Sequence, residues 1–453
     1  MKSLPLLLLL SASLPSIFEA KEKPGPSGDH EIVIEKELLI TALEVVNGPE
    51  ATYPGPWSFG HLMDEALGEK ISRKTVATWL DSWAKGSPEN ATFRLPPREA
   101  LEERLIAPWR QRDQLVDCGD WLPDFAHAPF RLLAIVNRMD LGEHALPTTP
   151  VPTSTFNDSS GYGPAAGNLV GREAGEARFV FAAVDLSGQP LPGGTTIILE
   201  YGLDAPTSSP GKLADWAKSW HALGAQPAFD DTYRAKLVEV TRRFTKQLLR
   251  IRVNDGAFGD VREFREFHLQ DGKLVPAQLP GTPNDSYFVK GSADNRSLTE
   301  WVAKQRVPRE SEIDNPRAAK TEIPASFPLP ASFQATIARV PDNDASFHWD
   351  GWGMRDEGLR RAFSMQTCCG CHCGDTSTAF FHIAPTPAET EATLSKFMRT
   401  DGSRWRPKDP SNGRGFLSSE MEDRKMLLER VLKPNPTNRE LNRIREVRNG
   451  RFH

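Results

Sequence analysis

No G-x-S-x-G elbow, no phosphate loop closing on Gly-Lys-Ser/Thr and no H-E-x-x-H pair occurs in this sequence. The serine-nucleophile, nucleotide and zinc-peptidase chemistries that need those spacings lose their support. Gly161 and Gly163 begin a dinucleotide-type loop, but Ala166 stands where the third glycine belongs and the flanks read as irregular surface chain. Asp342 and Asp344 open a calcium-loop spacing that fails in the same way, because Phe347 replaces the turn glycine and Gly353 the closing glutamate. A strong charge of either sign is missing too: 55 Lys and Arg against 60 Asp and Glu leave a net of −5. That balance builds no phosphate-binding surface, so no nucleic-acid partner is expected. Cysteine is scarce, with five in 453 residues, four of them within Cys368 to Cys373 and the fifth at Cys118. A chain this long does not need disulfide staples to fold, so the cluster reads as a cofactor or metal site.

What is present begins with an address. Lys2, the apolar run Leu4 to Leu10 interrupted by Pro5, and the polar stretch Lys21 to Pro26 have the layout of a secretory signal peptide over residues 1–20. The run is too short to cross a bilayer as a stable helix, so no membrane span is expected after cleavage. Cleavage after Ala20 competes with a site at Ser11-Ala12-Ser13. The mature protein is expected in the periplasm of a bacterium or outside the cell. Hydrophobic residues at 39% and charged residues at 25% are those of an ordinary globular chain.

The organisation predicted is α+β, with a large N-terminal mixed region followed by a smaller, mainly helical C-terminal segment. Residues 21–30 read as a flexible leader, 31–305 as the α+β domain, with two subdomains an option, 306–330 as a proline-rich linker and 331–453 as the C-terminal domain. A strand is expected near Ile32 to Ala42, and short helices at His61 to Leu67, Thr75 to Lys85 and Glu99 to Ile106. Strands follow at Arg131 to Asn137, Arg178 to Val184 and Thr195 to Tyr201, with a long loop over Pro147 to Gly171. The spacing predicts helices over Leu213 to Leu223 and Tyr233 to Ile251, then a hairpin of Val261 to Leu269 and Leu274 to Ala277 turning at Asp271-Gly272. Trp216 and Trp220 fall on an apolar stripe and read as core rather than as a sugar platform. His221 reads as an exposed helix residue, and the basic stretch Arg430 to Arg451 as a solvated face.

The chemistry concentrates in Cys368-Cys369-Gly370-Cys371-His372. A c-type haem needs two thiols at a fixed spacing to add across the porphyrin vinyl groups and an imidazole next door to reach the iron. Only one register fits: Cys368 and Cys371 as thioether residues and His372 as proximal ligand. Helical spacing over Glu357 to Met365 leads into the segment. The sixth iron position falls to His382, ahead of Met398, Met421 and Met426, or stays open. Three other readings stand beside haem: a zinc or copper site using the surplus thiols with His372, a redox dithiol of Cys368 with Cys371, and a structural disulfide cluster. A haem carrier would exchange single electrons with a redox partner protein, and electron transfer or binding is favoured over catalysis.

Gly55-Pro56-Trp57-Ser58-Phe59-Gly60, Ala134 to Leu141, Ala177 to Phe181, Trp220 to Gly224 and Glu263 to Phe267, taken together, resemble a group of long exported bacterial proteins that also end in a single C-x-x-C-H segment. The resemblance spans most of the mature chain and implies a shared architecture. It lends no catalytic residue. Within the attachment segment the likeness is to cytochromes c, from which this chain departs by carrying Cys369 and Cys373 beside the two attachment residues.

Overall fold

The computed structural model describes residues 30–433 except 88–92, 94, 114–120, 142–173, 204–209, 306–326, 328, 342–345, 404 and 416–419. The expected signal peptide, most of the leader, the loop at 147–171, Cys118, nearly all of the linker and the chain beyond 433 lie outside these residues. Among the described residues no helix is long and apolar enough to cross a membrane.

An antiparallel sheet organises the α+β fold. Its strands are β1 (Leu39–Ile40), β2 (Phe130–Arg138), β3 (Glu176–Ala183), β4 (Thr195–Gly202), β5 (Leu248–Asp255), β6 (Arg262–Gln270) and β7 (Lys273–Ala277), each paired with the next in chain order. The hairpin between β6 and β7 turns at Asp271 and Gly272, both at positive φ, as the sequence predicts. An eighth strand, β8 (Ile337–Val340), comes from the C-terminal segment and pairs with Arg262 to Arg265 on the edge of β6 that β7 leaves uncovered. The C-terminal segment is thereby part of the sheet.

One face of the sheet is apolar and carries the core. Phe179, Phe181, Ile197, Leu199, Tyr201, Ile251 and Phe267 are fully buried. Against them pack α3 (Phe59–Leu67), α4 (Glu69–Lys85), α6 (Pro210–Gly224) and α7 (Asp231–Thr241), in that chain order after two single-turn helices, α1 (Ile34–Glu37) and α2 (Leu43–Val46), and with α5 (Ala107–Arg112) between α4 and β2. Trp79 meets Phe267 edge-on at 5.7 Å, and Trp220 stacks on Phe244 at 6.3 Å. Burial of each such side chain contributes about 1.5–3 kcal/mol. Ser58 caps α3 by accepting the His61 N–H, and Gly60 is obligatory because a Cβ there would sit 2.3 Å from Phe125.

Two expectations are corrected here. The helix predicted over Tyr233 to Ile251 ends at Thr241, and Leu248–Asp255 is strand β5. Leu237, Val240, Phe244 and Leu248 do keep helical spacing, but Arg250-Ile251-Arg252-Val253 alternates, which places both arginines on one face of the sheet and both aliphatics on the other. The strand expected near Ile32 is instead α1 followed by the two-residue β1.

The opposite face of the sheet is a lattice of buried charges. Across neighbouring strands Arg178 faces Glu200, Glu200 faces Arg250, and Arg252 faces Glu266. Nitrogen to oxygen distances are 3.0 Å for Arg178 to Glu200, 2.5 Å for Arg250 to Glu200 and to Glu176, and 2.9 Å for Arg252 to Glu266. Sharing each carboxylate between arginines offsets the cost of desolvating all of them. This face is covered by the C-terminal segment, which holds α9 (Glu357–Gln366, after α8 at Ala293–Lys304), the short strands β9 (Ile383–Ala384) and β10 (Thr393–Leu394), and α10 (Glu420–Leu432), joined by irregular chain.

Candidate functional site: a cleft between the charged sheet face and the cysteine cluster

Asp356 caps α9 by accepting the Leu359 N–H at 3.0 Å. The helix runs to Gln366 and stops at Thr367, whose φ of −83° and ψ of 149° are extended. Thr367 then starts a second turn, its hydroxyl oxygen accepting the Gly370 N–H at 3.0 Å. The chain from Cys368 through Gly374 is helical and closes as a π-turn over Gly370–Gly374. An amphipathic helix therefore leads into the cysteine segment, as expected, with one extended residue between them. Gly370 is required: a Cβ there would lie 2.0 Å from the Ser364 carbonyl oxygen. Arg360 fixes the assembly from beneath, its Nη2 lying 2.7 Å from both Asp375 and Asp409, with all three buried.

Cys368, Cys371 and His372 all line one cleft, together with His382 and Met398. The cleft has a cavity volume of about 90 Å³ and opens to solvent. Its far wall is the charged sheet face, contributing Arg138, Arg178, Thr196 and Arg252, and Arg424 joins from α10. Val136, Val180, Ile198, Phe264, Leu279 and Phe397 add apolar lining, and Asn254 and Arg265 line it as well.

His372 Nδ1 lies 2.7 Å from the Phe380 carbonyl oxygen. With the proton on Nδ1, that nitrogen donates and Nε2 keeps its lone pair. Burial pushes the imidazole pKa down to about 4, so the ring is neutral and able to ligate. The Cys368 thiol is pushed up to about 11 by burial, and Cys371 is raised further by the same cause. Neither carries the lowered pKa that a working redox dithiol needs.

Three of the thiols meet different partners. Cys368 receives a hydrogen bond from the Thr282 hydroxyl at 3.3 Å, Cys369 lies 3.6 Å from the Arg339 carbonyl, and Cys371 lies 3.4 Å from His382 Nε2. Among the described residues, no three ligand atoms of this cluster gather within 4.8 Å. The four described cysteines are free thiols rather than disulfides. His382 packs beside His372 with ring centres 4.3 Å apart and planes tilted by 46°. Two imidazoles on opposite sides of one metal stand about 6 Å apart between centres, given metal–nitrogen bonds of about 2 Å. In this arrangement His382 shares the wall of His372, and Met398 stands in the same cleft with its sulfur 4.0 Å from Arg424 Nη2.

Sequence reasoning missed the arginine wall, whose residues come from five separate strands and helices. It also placed His221 wrongly. That residue is 6% exposed, its Nδ1 2.9 Å from the Glu37 carboxylate, and its ring stacks on His30 at 4.0 Å. His30, Glu37 and His221 bring three potential ligand atoms within 4.8 Å. The ring planes are only 12° apart, so their in-plane lone pairs do not converge on one ion. Their visible work is to tie α1 to α6.

Comparison with protein-family models, with curated proteins and with solved structures finds no match to this chain.

Proposed function

We propose that the protein is an exported c-type haem protein that holds its porphyrin in this cleft and passes single electrons. The observation that carries the reading is the orientation of His372, whose Nδ1 is committed to the Phe380 carbonyl while Cys368 and Cys371 border the same space. The donor set fits the group: two neutral thiols for the vinyl carbons, one neutral imidazole for the iron, and aliphatic and aromatic walls for the macrocycle. When bound, the haem would supply an iron that cycles between ferric and ferrous. Cys368 and Cys371 would anchor the ring, His372 would ligate it, and His382 or Met398 would take the sixth position, His382 by turning away from Cys371. Val136, Val180, Ile198 and Phe264 would keep water from the ring face, which favours the less charged, reduced state. The sheet and its helices would then present the carrier to a redox partner protein.

Maturation in a periplasm with working haem lyases tests this directly. The expected product carries one haem by mass spectrometry and a reduced α-band that survives acid-acetone extraction. Colourless chain of bare polypeptide mass would overturn the reading. Bound zinc by elemental analysis in that colourless product would favour the metal-site alternative.

A further inference from the structure

The cleft described above has two chemically different sides. The C-terminal side brings thiols, imidazoles and apolar groups, whereas the sheet side brings guanidinium groups. No aspartate or glutamate is among the described residues lining it. The carboxylates that pair with these arginines lie outside the lining: Arg178 lies 3.2 Å from Glu176 and 3.0 Å from Glu200, Arg252 3.5 Å from Glu200 and 2.9 Å from Glu266, and Arg424 2.7 Å from Glu420 of its own helix. Negative charge is behind the wall and positive charge is at its surface.

Hydrogen bonding tells the same story independently. Thr196 Oγ1 and Arg424 Nη1 are buried and have no hydrogen-bond partner, in residues that are 1% and 4% exposed. Both residues line the cleft. Leaving such groups unmade costs free energy, so two of them in the lining of one cleft mark a place for an acceptor.

We propose that Arg178, Thr196 and Arg252 of the sheet, with Arg424 of α10, form an anion site that takes a carboxylate or an inorganic oxyanion inside the cleft. The site shares its cleft with the proposed haem and rests on that reading only for the identity of its occupant. One occupant is the pair of propionate carboxylates of the porphyrin, and the other is a free oxyanion held beside the ring. Both use the same recognition chemistry: planar guanidinium forks and a hydroxyl meeting paired oxygens.

Calorimetric titration of the full-length chain with sulfate separates the possibilities. In haem-free protein, made without maturation, saturable binding that weakens with added sodium chloride is expected. Arg424→Gln should weaken it about tenfold, the effect of losing one charge-assisted hydrogen bond. Thr196→Val should weaken it about threefold. That variant exchanges an unpartnered hydroxyl for an apolar isostere, so its fold is not at risk. Absent or unsaturable binding, or equal binding by wild type and both variants, would overturn the site. Repeating the titration on haem-loaded protein identifies the occupant: sulfate binding is retained if the site serves a free anion and lost if propionates fill it. Because the first arm contains no haem, failure of the anion site and failure of haem attachment are read from separate experiments.

Discussion

His372 Nδ1 meets the carbonyl oxygen of Phe380 at 2.7 Å, and Phe380 holds that carbonyl in place with a positive φ of 71°. A non-glycine residue in this region costs about 1 kcal/mol or more, which packing of the Phe380 ring against Phe264 at 4.8 Å helps to offset. In matured protein, His372→Phe is expected to keep the covalent haem mass and lose the imidazole ligand that His372 would give the iron. The readout is the Soret position and the electron paramagnetic resonance signal. An unchanged spectrum would remove His372 from the proximal role.

The sixth position is decided by the same spectroscopy. His382→Ala is expected to convert a low-spin spectrum to high spin, while Met398→Leu leaves it intact. The reverse pattern would assign the thioether, and the accompanying reduction potential would be higher than an imidazole ligand gives. No response from either variant would indicate an open iron.

Gly370 lies between Cys368 and Cys371 at a point where the chain has no spare room. Gly370→Ala forces a methyl against the Ser364 carbonyl, 2.0 Å away. Overpacking of this kind costs about 1–3 kcal/mol. A lower urea midpoint for haem-free protein and a reduced haem yield are expected, and a midpoint equal to wild type would contradict the contact.

Arg360 neutralises Asp375 and Asp409 in a buried trio. Removing one partner of a buried pair typically costs about 3–5 kcal/mol because the remaining charge stays desolvated. Arg360→Met should therefore destabilise by about that amount in urea unfolding. Joint replacement of Arg360 by Met and both aspartates by Asn is expected to recover much of the loss.

Glu37 gives the fold a pH response of its own. Burial raises its pKa to about 8 from the ordinary 4.5, against hydrogen bonding by Val33 and the nearby His30 and Lys425. Between those values the folded chain keeps a proton that the unfolded chain releases, so stability falls as pH rises from about 4.5 to about 8. Urea midpoints at pH 5 and pH 8 are expected to show this decline in wild type and much less of it in Glu37→Gln. Parallel declines in both proteins would rule out Glu37 as the source.

The apolar half of this fold was readable because it obeys simple periods. Phe179, Phe181 and Trp216 with Trp220 announce strand and helix faces through spacing alone, and the structure buries all four. The charged half was not readable by the same rule. In β5 the alternation of Arg250 and Arg252 with Ile251 and Val253 is a clean strand pattern, yet charges normally mark solvent, and here they mark a second interior. His221 was misread for a related reason: its partners Glu37 and His30 are more than 180 residues away, and no local signal announces them. Of the cleft, the sequence displayed the C-terminal side in one contiguous segment. Its opposing wall is assembled from β2, β3, β4, β5 and α10, and only the strand register brings Arg178 and Arg252 opposite His372.

The pairing of β8 with β6 constrains the order of events in the life of the chain. In the finished fold Cys368 and Cys371 are each 5% exposed, beneath a segment stitched into the sheet edge. At that exposure little of either sulfur is within reach of a reagent as large as a tetrapyrrole in the closed fold. Under the proposed haem reading, loading would precede closure, and a chain that closed early would stay colourless until it unfolded again.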